Sequence, residues 1–333
     1  MTPTSLVAST TPALSVPTDR PGLRVTHAKD ADEHAQNLSR WDQRYDQLTP
    51  GAFEGSVTEL WLPKSQVFVE SANRQLRQTC AAWPESIWFG IPAAREGMMT
   101  LGGKPLTAGA VCIRDGGAEF DLMTAPDFNL FGIVVDRNAF GEYVATTTCQ
   151  DLDRLLQQGD VLTLPQPHKN ALCLTLGAIL ADAEMPGIPE SRASSGALQE
   201  RIFAALSGLL VAGKDGGNTT GRARHHRQQI VAKVRELLLQ SPEYPPSVAE
   251  LCTRLHLSRR ALQNCFEEIT GMGPLAYMRS LRLNEVRRQL KYSREAQPVS
   301  QVAYAWGFTH MSQFAKDYRQ LFGELPSLSR RAS

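Results

Sequence analysis

The chain has 333 residues, of which 42% are hydrophobic and 21% charged, so it can bury a core without staples and fits a soluble globular protein of about two domains. No apolar run reaches the roughly 18 residues a membrane-spanning helix needs, and six cysteines without a CxxC spacing argue against a zinc ribbon or redox motif. The net charge of +1 conceals an asymmetry: residues 222–333 carry 18 Lys and Arg against 9 Asp and Glu, while residues 1–221 carry 17 against 25, and such a basic half often marks a nucleic-acid partner.

Residues 1–24 are rich in Ser, Thr and Pro and lack a basic start or a continuous apolar core. They read as a disordered tail rather than a signal peptide, with the cytoplasm as the default compartment. The polar stretch that follows predicts a helix around ADEHAQNLSRWDQRYDQL. From Phe53 to Val135 the texture changes to short β-branched or aromatic runs (VTELWL, QVFVE, SIWFGIP, AVCIRD, AEFDLM, NLFGIVV) separated by turn residues, which predicts an all-β sandwich or barrel. Residues 138–213 read as helices, including ALCLTLGAILADAE and GALQERIFAALSGLLVAG, and complete a first domain over 25–213. The Gly-rich residues 214–224 read as a linker, and residues 225–330 as a second, all-helical domain.

In that second domain Val248, Leu251, Cys252 and Leu255 form one apolar helix face, His256-Leu257 a turn, and Ser258 an N-cap. Leu262, Cys265, Phe266 and Ile269 repeat the spacing, and Gly271 supplies the stop. The opposite face of the second helix carries Arg260, Gln263, Asn264 and Glu267. In a helix-turn-helix this face enters the major groove. A second unit repeats the logic: Val299, Val302, Ala303 and Trp306, a turn at Gly307-Phe308, a cap at Thr309, then Phe314, Tyr318 and Leu321 inward with Met311, Ser312, Gln313 and Lys316 as readers. Between the units PLAYMRSLRLNEVRRQLK starts on a proline, which a helix accepts at its first turn, and spans about 27 Å at 1.5 Å per residue. That is close to the roughly 34 Å of one DNA turn. Phosphate contacts are expected from Arg259 and from the spacer arginines Arg282, Arg287 and Arg288. A plain helical bundle with solvated charges is the competing reading, and the duplication argues against it.

These residues carry a resemblance. LCTRLHLSRRALQNCFEEITGMGPLAYMRSLRLNEVRRQL followed by QVAYAWGFTHMSQFAKDYRQLFGELPS resembles the DNA-binding domain of the AraC/XylS family of transcription regulators. The marks are SRRALQ-x-x-F, Gly271 with Pro274, the RLNEVRRQL spacer, Ala303-x-x-x-Gly307-Phe308, and Phe322-Gly323 before Pro326. The resemblance implies an α+β multidomain chain: a β-rich, cupin-like sensor domain with helices, then an all-α domain with two helix-turn-helix units. It implies that Arg260, Gln263 and Asn264 read bases in one groove and Met311, Ser312, Gln313 and Lys316 in the next. Met311 departs from the polar residue common there, which points to shape or a thymine methyl as the feature read. The implied partners are an operator in double-stranded DNA, a small-molecule effector and RNA polymerase. A homodimer is left open, because Leu198, Ile202, Ala205 and Leu209 fit a dimer helix or a domain-core helix equally well.

Within that family, RWDQRYDQLTPGAFEGSVTELWL, RQTCAAWPESIWFGIPA and GAEFDL resemble a narrower group, the regulators of ethanolamine utilisation. This likeness implies an activator of an ethanolamine catabolic operon, responding to ethanolamine together with adenosylcobalamin. No cofactor is required by the reading, and a DxHxxG cobalamin signature is absent. A pocket for a small ammonium would want a carboxylate and aromatic faces, and Trp61, Trp83, Trp88, Phe89, Glu59 and Glu119 are the types available. Catalysis is not expected: residues 51–135 hold no histidine for a cupin metal site, and HExxH, GxSxG and a Gly-rich phosphate loop are missing. A ligand-binding interaction protein with a non-functional helical domain is the alternative from another class, and an AraC-type regulator of a different pathway the alternative within it.

Overall fold

Two facing sheets dominate the first half of the computed structural model, which describes residues 22–93, 97–157, 159–184, 192–215, 222–293 and 297–330. The tail expected over 1–24 lies outside the described residues up to position 21, as do positions 216–221 of the expected linker. The chain runs through β1 (Gly22–Ala28), α1 (Ala31–Ala35), β2 (Asp42–Gln47), β3 (Gly55–Leu62), β4 (Ser65–Ala72), β5 (Leu76–Ala81) and β6 (Ser86–Pro92). It continues with β7 (Thr100–Leu101), β8 (Lys104–Pro105), β9 (Ala110–Asp115), β10 (Phe120–Met123) and β11 (Phe128–Asp136). Then come α2 (Arg137–Thr148), α3 (Leu152–Leu156), β12 (Val161–Thr163), α4 (Gln166–Glu184), α5 (Arg192–Ala212) and β13 (Lys214–Asp215). Among the described residues one sheet has the order β1-β3-β4-β11-β6-β9-β12-β13 and the other β2-β5-β10-β7-β8, with antiparallel pairing.

Side-chain alternation makes the larger sheet two-sided. On β6, Trp88 points between the sheets with Tyr45, Phe68 and Phe120, while Ile87, Phe89 and Ile91 point the other way, under α2, α4 and α5. Both faces of β6 are buried, which is why SIWFGIP reads as an uninterrupted apolar run. Ile202 and Leu209 of α5 are buried in the same layer, so the face considered for dimerisation is occupied within this chain.

The helix expected through RWDQRYDQL is a correction. Asp30 caps α1 by accepting from the backbone N–H of Asp32 and Glu33, but the helix ends after five residues and β2 follows, paired with β5. Tyr45 turns into the inter-sheet core while Arg44 and Asp46 turn to ion pairs, so the strand has no polar–apolar alternation to detect. Similarly, α6 (Arg222–Gln240) starts inside the segment read as linker.

The remaining helices are α7 (Val248–Leu255), α8 (Arg259–Thr270), α9 (Pro274–Tyr292), α10 (Val299–Ala305), α11 (Met311–Phe322) and α12 (Pro326–Ser329). The central one, α9, is shared by two small cores. Tyr277, Met278 and Leu281 pack with Val234, Leu251, Leu262 and Phe266 of α6–α8. Leu283, Val286 and Leu290 pack with Val302, Phe314 and Tyr318 of α10–α11. Each fully buried side chain of this size contributes about 1.5–3 kcal/mol.

The third flank of α9 is polar and faces the N-terminal half. The Asn284 amide donates to the Gln47 carbonyl at 2.9 Å and accepts from the Gln47 N–H at 3.0 Å, in a buried reciprocal pair. Gln47 Nε2 donates to the carbonyl of Leu321 at 2.7 Å, and the Gly51 N–H donates to Gln320 and Leu321 carbonyls at 3.1 and 3.0 Å. Asn284→Ala leaves two buried main-chain groups of Gln47 unpaired, at about 1–3 kcal/mol each. Its urea midpoint is expected to fall accordingly, whereas an unchanged midpoint would mean that the junction does not hold in solution.

Candidate nucleic-acid interface

The first helix pair is fixed at each end by local chemistry. Ser247 and Glu250 form a reciprocal capping box at the start of α7, a signal present in the sequence as SVAE that the sequence reading passed over. His256 then takes a left-handed conformation, and Ser258 caps α8 by accepting from the Ala261 N–H at 3.1 Å. Inward go Leu262, Cys265, Phe266 and Ile269. Outward, fully presented, go Arg259, Arg260, Gln263, Asn264 and Glu267. The Phe266 ring meets Tyr277 edge-on at 5.3 Å, which ties α8 to α9.

The second pair is built alike but capped differently. The N-cap position of α11 is His310, without a side-chain cap bond, and not Thr309. Phe314, Tyr318, Leu321 and Phe322 are buried, and Ser312, Gln313 and Lys316 are exposed. Met311 is half-buried against the small core, so part of it belongs to packing. One detail recurs in both outward helices. Gln263 Nε2 donates to Glu267 Oε1, and Gln313 Nε2 donates to Asp317 Oδ1, both at 2.7 Å and one turn apart. Each acid orients its glutamine amide and leaves the amide oxygen and a second N–H for a base edge.

The structure separates the four arginines expected on phosphates. Arg259 is exposed at the start of α8. Arg282 closes α10: its guanidinium lies 4.6 Å over the Phe308 ring and donates to the carbonyls of Trp306 and Gly307 at 3.3 and 3.4 Å. Burial, with Arg279 beside it, pushes its pKa down to about 10. Arg287 and Arg288 are corrections too, since both lie in the junction with the N-terminal half, against carboxylates. Arg287 pairs with Asp30 and Glu324. Arg288 donates to Asp32 and Asp46 at 2.6 Å each and to Glu285 at 2.9 Å. In this arrangement neither reaches a phosphate.

Comparison with known proteins agrees with this geometry. The helix-turn-helix domain family matches residues 251–332. The chain is 31% identical over 128 residues to the probable thc operon regulatory protein of Rhodococcus erythropolis, covering 37% of each chain. It is 38% identical over 82 residues to XylDLEGF operon transcriptional activator 2 of Pseudomonas putida, covering 24% of this chain and 52% of that one. A solved AraC-type regulator from Chromobacterium violaceum aligns at 28% identity over 32% of this chain and 92% of its own, with a TM-score of 0.29. Residues 251–332 thus match a helix-turn-helix domain. The chain thus spans from about a third to a half of the length of these two curated relatives, and the matched part is the helix-turn-helix domain with its immediate surroundings.

How this helix-turn-helix domain meets the β-rich half is the feature sequence reasoning missed. Asp30, Asp32 and Asp46 converge on Arg287, Arg288 and Lys291, and Arg44 pairs back with Glu285. The charge difference between the halves was the available signal, read as a nucleic-acid preference alone. Burial works against the charged forms of Asp30 and Asp46, but the guanidiniums of Arg287 and Arg288 outweigh it and hold both carboxyls below the ordinary value. Asp32 goes the other way: burial dominates over Arg288, and the Asp30 and Asp46 carboxylates add to it, which raises its pKa to about 6.

The groups considered for an ammonium ligand are largely occupied. Glu59 accepts from the Ser39 N–H and hydroxyl, from Trp61 Nε1 and from Gln66 Nε2, and it pairs with Arg24. The Arg40 guanidinium lies over the rings of Trp61 and Trp83, at 5.3 and 4.8 Å, so those aromatic faces already hold a cation. Trp88 stacks on Phe120 at 4.7 Å, Phe89 faces the other side of its sheet, and Glu119 is exposed. No group of three metal-ligating side chains occurs among the described residues, and no helix among them is long and apolar enough to cross a membrane.

The junction carboxylates set a pH dependence. The contribution of Asp32, raised from 3.8 to about 6, is complete below pH 3.8 and lost as pH rises through 6. Those of Asp30 and Asp46, lowered, persist above 3.8 and vanish only as pH falls below it. Between about pH 4 and 6, therefore, Asp32→Asn is expected to gain on the native chain by on the order of 2 kcal/mol, seen as urea midpoints that shift in favour of the variant as pH rises. Parallel pH profiles would remove Asp32 from the charge balance of the junction.

Proposed function

We propose that this chain is a sequence-specific DNA-binding transcription regulator, with α7–α8 and α10–α11 as two helix-turn-helix units on one strut. The observation that carries the reading is the matched pair of exposed helix faces at the two ends of α9. Nineteen residues at 1.5 Å per residue make that strut about 28 Å long, near the spacing of successive major grooves on one duplex face. Arg260, Gln263 and Asn264 would read one groove, and Ser312, Gln313 and Lys316 the next, with Met311 contributing its exposed edge. Arg259 supplies phosphate affinity, and Arg279, half exposed beside Asp317, is the spacer arginine best placed to help.

The facing sheets of the β-rich half support a cupin-like sensor role for a small-molecule effector, and activation implies contact with RNA polymerase. Two curated relatives named for operon regulation support the transcriptional reading. Assignment to an ethanolamine catabolic operon, with ethanolamine and adenosylcobalamin as effectors, rests on the likeness of the segments around residues 40–62 and 77–93. Finding which operon promoter the chain binds tests that narrower step.

Mobility shifts on DNA upstream of its own gene test the main reading. Arg260→Ala is expected to weaken specific binding by about 1–3 kcal/mol and leave non-specific binding nearly unchanged. Arg259→Ala is expected to weaken both and to lower the salt slope by about one. Equal losses on both kinds of DNA for Arg260→Ala would make it a phosphate clamp and remove the reader role.

A further inference from the structure

Both outward helices carry a carboxylate beside the face offered to a polyanion. Such a charge repels the duplex unless a neighbour has a use for it. On α8 Glu267 is exposed one turn beyond Gln263, and its Oε1 accepts from Gln263 Nε2 at 2.7 Å. On α11 Asp317 Oδ1 accepts from Gln313 Nε2 at 2.7 Å as well. The two pairs are not copies of one position, since Gln263 is the fifth residue of its helix and Gln313 the third. They share the donor atom and the spacing of one helical turn. Each is also backed from the strut. A β-carbon on Gly273, the N-cap of α9, would stand 2.8 Å from Gln263 Nε2, so the glycine leaves the amide its seat. Asp317 is largely buried, and its second oxygen faces Arg279 of α9 at 3.4 Å, which anchors the acid behind Gln313.

An unrestrained glutamine amide can turn over and exchange its donor and acceptor ends. Here the turned-over form would set Oε1 against a carboxylate oxygen, so the acid excludes it. The acid also takes one of the two N–H groups. What remains toward the groove is one donor and one acceptor in a fixed order. Adenine offers the matching edge, an N7 acceptor beside an N6 donor, whereas guanine offers two acceptors, N7 and O6. We propose that Glu267 and Asp317 are positioning residues that make Gln263 and Gln313 select adenine against guanine, one adenine in each of two successive major grooves. Neither acid touches the base, and each acts through its glutamine. The inference rests on the DNA-binding reading of the same helices and adds the base that each of them selects.

Selection of random duplexes by the full native chain, then competition titrations on the selected site with each base in turn, tests this without a known operator. Two adenines on one face of the duplex, about 10 base pairs apart, are expected. Each is expected to be favoured over guanine by about 5- to 150-fold, and 7-deazaadenine, which lacks the N7 acceptor, to cost a similar factor. Glu267→Ala is expected to bring adenine and guanine level at one position only, and Asp317→Ala at the other only. Glu267→Gln, which keeps a carbonyl acceptor, is expected to retain part of the preference. Gln313→Ala, at an exposed site, is expected to erase the same position as Asp317→Ala and serves if the latter lowers the urea midpoint. Non-specific DNA is expected to bind the acid variants no more weakly, because a negative charge has gone. A uniform loss on every sequence would make the acids structural, and loss of a cytosine preference would make them readers of cytosine N4 in their own right. Either result, an adenine preference that survives in both folded acid variants, or no adenine at the positions that depend on Gln263 and Gln313 would overturn the proposal and leave the regulator reading standing. Selection of no sequence at all would remove that reading, and this proposal with it.

Discussion

Everything in this molecule hangs on α9 being buried on three sides. Its first half completes the core of α6–α8, its second half completes the core of α10–α11, and its polar flank is held by carboxylates and main-chain groups of the β-rich half. A helix used on one face could swing relative to its neighbours, but a helix packed on three cannot move without disturbing all of them. The orientation of both outward faces is therefore set by one element, and so is their relation to the sheets.

The clamp on α9 also decides which cations remain for an anionic partner. Arg287, Arg288 and Lys291 are opposed by Asp30, Asp32 and Asp46, while Arg282 is committed to the end of α10. Among the described residues, Arg254, Arg259, Arg260, Lys316 and Arg319 are exposed on α7, α8 and α11, and Arg279 of α9 is half exposed. The basic surplus of the helical domain thus divides into an inward share, neutralised by the acidic half, and an outward share available to phosphates. Three carboxylates crowd one side of the clamp, and Asp32 is the one in which burial outweighs the neighbouring arginine. Solvated phosphates are weaker rivals for the inward share than fixed acids already desolvated beside it.

Much of the helical domain was legible because its signals are local. Ser258 caps α8, Gly271 and Gly323 stop α8 and α11 in left-handed conformations, and the apolar spacing of Leu262, Cys265, Phe266 and Ile269 matches what is buried. The β runs that alternate or are wholly apolar were legible for the same reason, and SIWFGIP and AVCIRD coincide with β6 and β9. What failed was whatever depends on a distant partner. The strand DQRYDQ hides its period because Asp46 is buried, and Arg44 ion-paired, by residues some 240 positions away. Arg287 and Arg288 look like solvent-facing spacer arginines for the same reason. Thr309 resembles a cap by type, but the turn after Gly307 runs on to His310 before the helix begins.

The most direct test of the shared-strut account is methylation protection of guanine N7 on a duplex bound by the native chain. Two protected patches in the major groove, centred about 10 base pairs apart on one face of the helix, are the predicted result. A single patch, or two patches on opposite faces of the duplex, would contradict the claim that α9 fixes both outward helices for one DNA molecule.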